Sequence, residues 1–150
     1  ARRMIAVDTN ILLYAHRGDS PWHEPADACL AVLAESSVAW AIPWPCVHEF
    51  LAIATHPRIF DPPTPVAVAL EQVECWREAP GLVLIGEVPD YWNHLRPLIE
   101  RGQIQGGRVH DARVAAICLQ HGVTELWSAD RDFSRFPALR VVNPLLKPRN

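Results

Sequence analysis

Met4-Ile5-Ala6-Val7-Asp8-Thr9-Asn10-Ile11-Leu12-Leu13-Tyr14-Ala15 sets two apolar runs on either side of a polar trio. The first run has strand length and ends at a carboxylate, and the second continues long enough for a helix. The segment therefore predicts a buried strand, a turn and then a helix. Asp8 is bordered by core-forming residues on both sides, where a carboxylate is costly unless donors or a cation compensate its lost hydration. Taken alone, Asp8 reads equally as a helix cap.

The alternation continues along the chain. Helical spacing over 21–36 precedes a short apolar strand at 38–42, and a further helix over 45–55 begins with a proline suited to a first turn. Four prolines between 56 and 65 mark a surface loop, and Thr64-Pro65 predicts an N-cap with proline at the first helical position of a helix running to about Ala79. A strand at 82–85, a helix over 90–101 and a break from Gly102 to Gly107 follow. The helix over 109–121 stops at Gly122, and strands at 124–128 and 140–142 complete the pattern. Strands alternating with helices predict an α/β fold of three layers: a central, mostly parallel sheet of about five strands flanked by helices, in a single domain over 1–150.

Composition bounds the function. The 150 residues are 49% hydrophobic and 21% charged with a formal charge of −3, which fits a single globular domain and gives no global basic field for nucleic acid or anionic lipid. No apolar run approaches the length of a membrane span, and the start lacks a secretory signal, so a cytoplasmic protein is expected. Met4 is expected to be the native start, with Ala1 to Arg3 an addition ahead of it. Cys29, Cys46, Cys75 and Cys118 lack any C-x-x-C spacing and are expected to be buried, reduced thiols.

In an open α/β sheet, ligands gather beyond the carboxyl ends of the strands. Asp8 ends the first strand, Glu49 lies early in the helix after the second, Asp111 opens the helix at 109, and Asp130 follows the strand at 124–128. Carboxylates converging on one sheet edge repel unless protons or a cation intervene, and an all-oxygen set selects Mg²⁺ or Mn²⁺ over zinc. Phosphodiester hydrolysis is the chemistry such a site suits. His48-Glu49-Phe50-Leu51-Ala52 lacks the second histidine of a zinc-protease motif, and 102–107 misses the glycine spacing of nucleotide-binding loops. His16, His23 and His110 read as helix-surface histidines.

The blocks Val7-Asp8-Thr9-Asn10, Val47-His48-Glu49-Phe50, His110-Asp111-Ala112-Arg113 and Ser128-Ala129-Asp130-Arg131-Asp132-Phe133 resemble, in order, those of the PIN-domain nucleases, and among them the VapC-type toxins of toxin–antitoxin pairs. The resemblance spans roughly residues 5–144. It implies an endoribonuclease that depends on Mg²⁺ or Mn²⁺ and hydrolyses RNA phosphodiesters with a metal-activated water. It also implies a homodimer and silencing by a VapB-like antitoxin. Asp8, Glu49, Asp111 and Asp130 correspond to the family's metal-binding, catalytic acids, with Asn10, Ser128 and Asp132 in supporting roles. Thr9 joins Asn10 as a candidate for orienting Asp8. The family's last block usually opens with Thr, where this chain has Ser128, which retains the hydroxyl.

With these five acids set aside the remaining charge is slightly basic, and Arg108, Arg113, Arg131 and Arg135 are candidates for RNA phosphates or for ion pairs with the acids. Trp40, Trp76 and Trp127 read as core, and Trp22, Trp44 and Trp92 as interface or half-buried residues. The rival to the nuclease is a catalytically inactive PIN-like module that binds RNA or protein.

Overall fold

The structure, a computed structural model, describes residues 4–146; residues 1–3, expected to precede the native start, residues 147–150 and the side chain of Asp132 lie outside that description. The elements run β1 (Ile5–Val7), α1 (Thr9–His16), α2 (His23–Glu35), β2 (Trp40–Pro43), α3 (Trp44–Ala54), α4 (Val66–Arg77), β3 (Leu82–Ile85), α5 (Tyr91–Gly102), α6 (Val109–Gln120), β4 (Glu125–Trp127) and β5 (Arg140–Val142). One-turn 3₁₀ segments at Gly106–Arg108 and Arg131–Arg135 precede α6 and β5.

All five strands pair in parallel, in the order β3-β2-β1-β4-β5. The chain starts at the centre of the sheet, winds outward through β2 and β3, then returns to the other side of β1 with β4 and β5. Its topological switch therefore lies between β1 and β4, where an open sheet forms a crevice at its carboxyl end. Asp8 leaves β1 at that point and Ser128 leaves β4. The expected α/β architecture is the observed one.

Parallel strands covered on both faces read as continuous apolar runs, and β2 is buried at all four positions. In α6, Ala112, Val114, Ala115, Ala116, Ile117 and Cys118 are all buried, and the small residues among them let the helix sit close to its neighbours. Phe50 and Trp40 fill the largest buried volumes, with Phe50 edge-on to both His16 and Trp76. Trp40 is buried and Trp76 and Trp127 pack on the core, as expected; Trp22, Trp44 and Trp92 are exposed rather than half-buried.

Several local expectations are corrected. The polar trio is not a separate turn, because α1 begins at Thr9 with Asp8 as its cap. Thr64 does not cap α4, whose cap position is Pro65; the Thr64 hydroxyl instead meets His16 Nε2 at 3.1 Å. His16 and His23 are not surface residues but structural ties, since His16 Nδ1 meets Gln72 Oε1 and His23 Nδ1 meets the carbonyl of Tyr14. All four cysteines are free; Cys46 and Cys118 are buried, Cys29 is half-buried and Cys75 is exposed. No helix among the described residues is long and apolar enough to cross a membrane.

Helix ends follow glycine chemistry in α6 and depart from it in α5. Gly122, at φ +68°, closes α6, with its N–H bonded to the carbonyl of Leu119 and that of Val123 to Cys118, the paired bonds of a Schellman ending. In α5 the same pair of bonds places Gln103 in the left-handed position, φ +50°, and leaves Gly102 inside the helix. A β-carbon on Gly102 would come within 2.9 Å of the Ile104 side chain, so the glycine serves close approach rather than the turn.

Candidate active site

The switch between β1 and β4 is stitched by hydrogen bonds. Asp8 N–H donates to the Trp127 carbonyl (3.0 Å), and the Asp8 carboxylate accepts from Thr9 N–H (2.8 Å) and from Ser128 Oγ (2.7 Å). Cys46 Sγ, from α3, reaches the same carboxylate at 3.5 Å. Asn10 spans the crevice: its Nδ2 donates to Ser128 Oγ (3.3 Å), and its Oδ1 accepts from Ala129 N–H (3.1 Å). Ser128 Oγ also accepts from Asp130 N–H at 3.0 Å, fixing the turn that carries Asp130. Asp8 is only 7% exposed and Ser128 2%, so this network lies below the surface.

Burial raises the proton affinity of Asp8 above the ordinary carboxylate range; the donors Ser128, Thr9 and Cys46 oppose the shift, and the charge of Asp130 adds to it. Glu49 shifts the same way, first through partial burial and then through the charge of Asp8, with His110 acting against the shift and Asp130 with it. Asp130 thus acts on both Asp8 and Glu49, and Asp8 acts on Glu49. Glu49 and Asp111 line one cleft of about 490 Å³ with His48 and His110. Ser128 and Asp130 border a larger cavity on the other side.

Glu49 and Asp111 thus share one cleft, and Glu49 feels the charges of Asp8 and Asp130, so acids from four separate parts of the chain lie along the carboxyl edge, with Asp8 beneath it. Asp132 falls in the 3₁₀ segment, and its expected role rests on a side chain outside the described residues. Of the arginines, Arg113 is paired with Glu87 rather than with a site acid, Arg135 reaches the Gly102 carbonyl, and Arg131 borders the larger cavity. His110 is exposed on α6, as expected, but it lines the acidic cleft. Cys46 was not singled out by sequence reasoning. Its position three residues before Glu49 puts both on one helix face, a spacing that signals the neighbourhood.

The donor set fits a hard divalent cation. It consists of carboxylates and hydroxyls, the buried Thr9 hydroxyl lying beside Cys46 and Glu49, where it opposes the upward shift of both. Among the described residues no three His, Cys, Asp or Glu side chains form a ready cage. Mg²⁺ seldom uses such cages, relying on one or two carboxylates with water and phosphate oxygens.

The family model of the PIN domain matches residues 5–139. The chain belongs to the PIN-domain family. Within it, Ribonuclease VapC31 of Mycobacterium tuberculosis is 34% identical over 143 residues, covering 95% of this chain and all of the relative. Ribonuclease VapC48 of the same organism is 30% identical over 138 residues, 91% of this chain and 94% of the relative. This PIN-domain chain thus falls among the VapC ribonucleases across its length. The fold is shared with VapBC2 of Rickettsia felis bound to a promoter DNA fragment (TM-score 0.67, 17% identity, 93% of this chain and 97% of that one). It is shared also with VapC20 of M. tuberculosis, a toxin cleaving the sarcin–ricin loop (TM-score 0.65, 15% identity, 87% and 92%).

Proposed function

We propose that this PIN-domain protein is an endoribonuclease, the toxin of a VapBC-type pair, that uses Mg²⁺ or Mn²⁺ at the carboxyl edge between β1 and β4. The observation that carries the reading is the convergence of Asp8, Glu49, Asp111 and Asp130 on that edge in a chain whose curated relatives are ribonucleases over nearly its whole length. These four acids would hold the cation, which when bound lowers the pKa of water and neutralises phosphoryl charge.

The remaining residues set geometry. Ser128, Thr9 N–H and Cys46 hold the Asp8 carboxylate in one orientation, and Asn10 locks the β4 turn to α1 so that Asp130 keeps its distance from Asp8. Positioning of this kind supports an in-line displacement, in which the scissile phosphate must meet its nucleophile at a fixed angle. Asp132 is proposed as a supporting acid on its position in the sequence. A VapB-like antitoxin partner is supported by solved neighbours that are VapBC complexes, including that of Rickettsia felis. A homodimer follows from the family resemblance, and light scattering reads it as twice the 16.8 kDa chain mass.

The test is cleavage of single-stranded and structured RNA by purified protein with Mg²⁺, Mn²⁺ or chelator, beside Asp8→Asn and Asp111→Asn proteins of verified fold. Cleavage that requires both the metal and the two acids is expected. If RNA is bound but never cut under any metal, the non-catalytic binding module replaces this reading.

A further inference from the structure

A cavity of about 900 Å³ opens from the acids' network and extends away from it. Its near end is Ser128, Ala129 and Asp130; its far walls come from α1, the start of α2 and the segment around β5. Tyr14 and Trp22 line one side, and the buried rings of Phe133 and Phe136, packed at 5.9 Å, form part of the floor. Trp22 is a large aromatic side chain left 43% exposed at this rim. It occupies the cap position of α2 without making a side-chain cap, so helix termination does not explain an indole there.

The polar lining is sparse and suits the edge of a planar ring. Asn143 leaves β5 with its Oδ1 accepting from Leu145 N–H, which turns the amide's donor end to other partners, and Ser134 adds a hydroxyl. The exposed Arg131 stands next to Asp130 at the mouth, a cation at the junction between the cavity and the acidic edge. An aromatic rim, a few hydrogen-bonding groups and a cation near the phosphate path are the features by which proteins hold an unstacked base of single-stranded RNA.

We infer that the Tyr14–Trp22 cavity is a base-binding subsite, taking one unstacked nucleobase of the RNA strand whose neighbouring phosphodiester lies at the acidic edge. The inference rests on the ribonuclease reading and extends it: Trp22 is a specificity-determining residue, and the protein selects its cut by a neighbouring base. A duplex, whose bases are stacked, does not enter the cavity.

The experiment cleaves a pool of single-stranded oligoribonucleotides randomised across the cut, with products sequenced for the native protein, Trp22→Ala and Trp22→Phe. The native protein should show a base preference at one position near the cut. Trp22→Ala should flatten it and slow cleavage of the preferred sequence roughly 10- to 100-fold, and Trp22→Phe should retain most of both. With an abasic ribose at that position, the native protein should fall to the rate of Trp22→Ala, and the variant should lose nothing further. An equal loss on intact and abasic RNA overturns the subsite, as does an unchanged preference. So does unchanged cleavage combined with lost inhibition by a protein antitoxin, which would assign the cavity to a peptide. In parallel, fluorescence anisotropy measures binding of the same randomised single-stranded oligoribonucleotides to Asp8→Asn with and without Trp22→Ala. If the native protein cuts no RNA, the nuclease reading fails by itself, and a Trp22-dependent affinity in this arm keeps or removes the subsite independently.

Discussion

Ser128 Oγ joins three groups at once, donating to Asp8 and accepting from Asn10 and Asp130 N–H. A methyl in its place leaves a buried carboxylate short of a donor and frees the Asp130 turn. Ser128→Ala should therefore lower the rate of RNA cleavage by about 10- to 100-fold, the range typical of residues that orient metal ligands, while Ser128→Thr keeps near-native activity. Circular dichroism showing an intact fold assigns the loss to positioning. The thiols give a second residue-scale expectation. Burial and the charge of Asp8 push Cys46 well above the ordinary thiol range, and burial holds Cys118 at about 12, whereas Cys75 is exposed. Since the thiolate is the reactive form, a thiol reagent at neutral pH should label Cys75 in the native protein and reach Cys46 and Cys118 only after denaturation. Peptide mass mapping distinguishes the three.

At the scale of elements, the ends of α5 and α6 make opposite predictions. Gly122 adopts a left-handed conformation at little steric cost, so Gly122→Ala should destabilise the fold by about 1 kcal/mol in urea unfolding. Gln103 carries a side chain in the same role, and Gln103→Gly should leave stability unchanged or raise it by up to about 1 kcal/mol. The pair Glu87–Arg113 ties the loop after β3 to α6, and the hydrogen bond from Arg113 holds the Glu87 carboxyl below its usual range. A depressed carboxyl stabilises the fold above its unfolded value, and that contribution is lost as pH falls through the folded value. Both side chains are partly exposed, so Glu87→Gln should cost only about 0.5 kcal/mol at pH 7, with the difference from native protein vanishing in acid. The elements themselves were legible because apolar runs of strand length alternate with helical spacing and prolines mark the joints. The α5 ending was not, because Gly102 reads as a stop signal in sequence, while its contact with Ile104 exists only after the chain has turned.

For the whole molecule, the acidic edge sets function against stability. Asp8 is a carboxyl group only 7% exposed, beside other carboxylates, and burial works against its charged form when no cation compensates. Asp8→Asn should abolish cleavage and yet raise the stability of chelated protein by about 1 kcal/mol, read as a higher Tm; a lower Tm would show that the carboxylate's donors outweigh its burial. The sequence by itself determined the α/β class and the order of elements and marked four candidate acids, because periodicity and a charge lodged between apolar runs are local properties of the chain. Only the tertiary structure decided that β1 and β4 are neighbours. That pairing brings Ser128 and Asn10, 118 residues apart, to one carboxylate, carries Cys46 in from α3, and opens a cavity behind Trp22. Strand order is set by how crossover helices pack back on the sheet, a choice that spacing along the chain does not record.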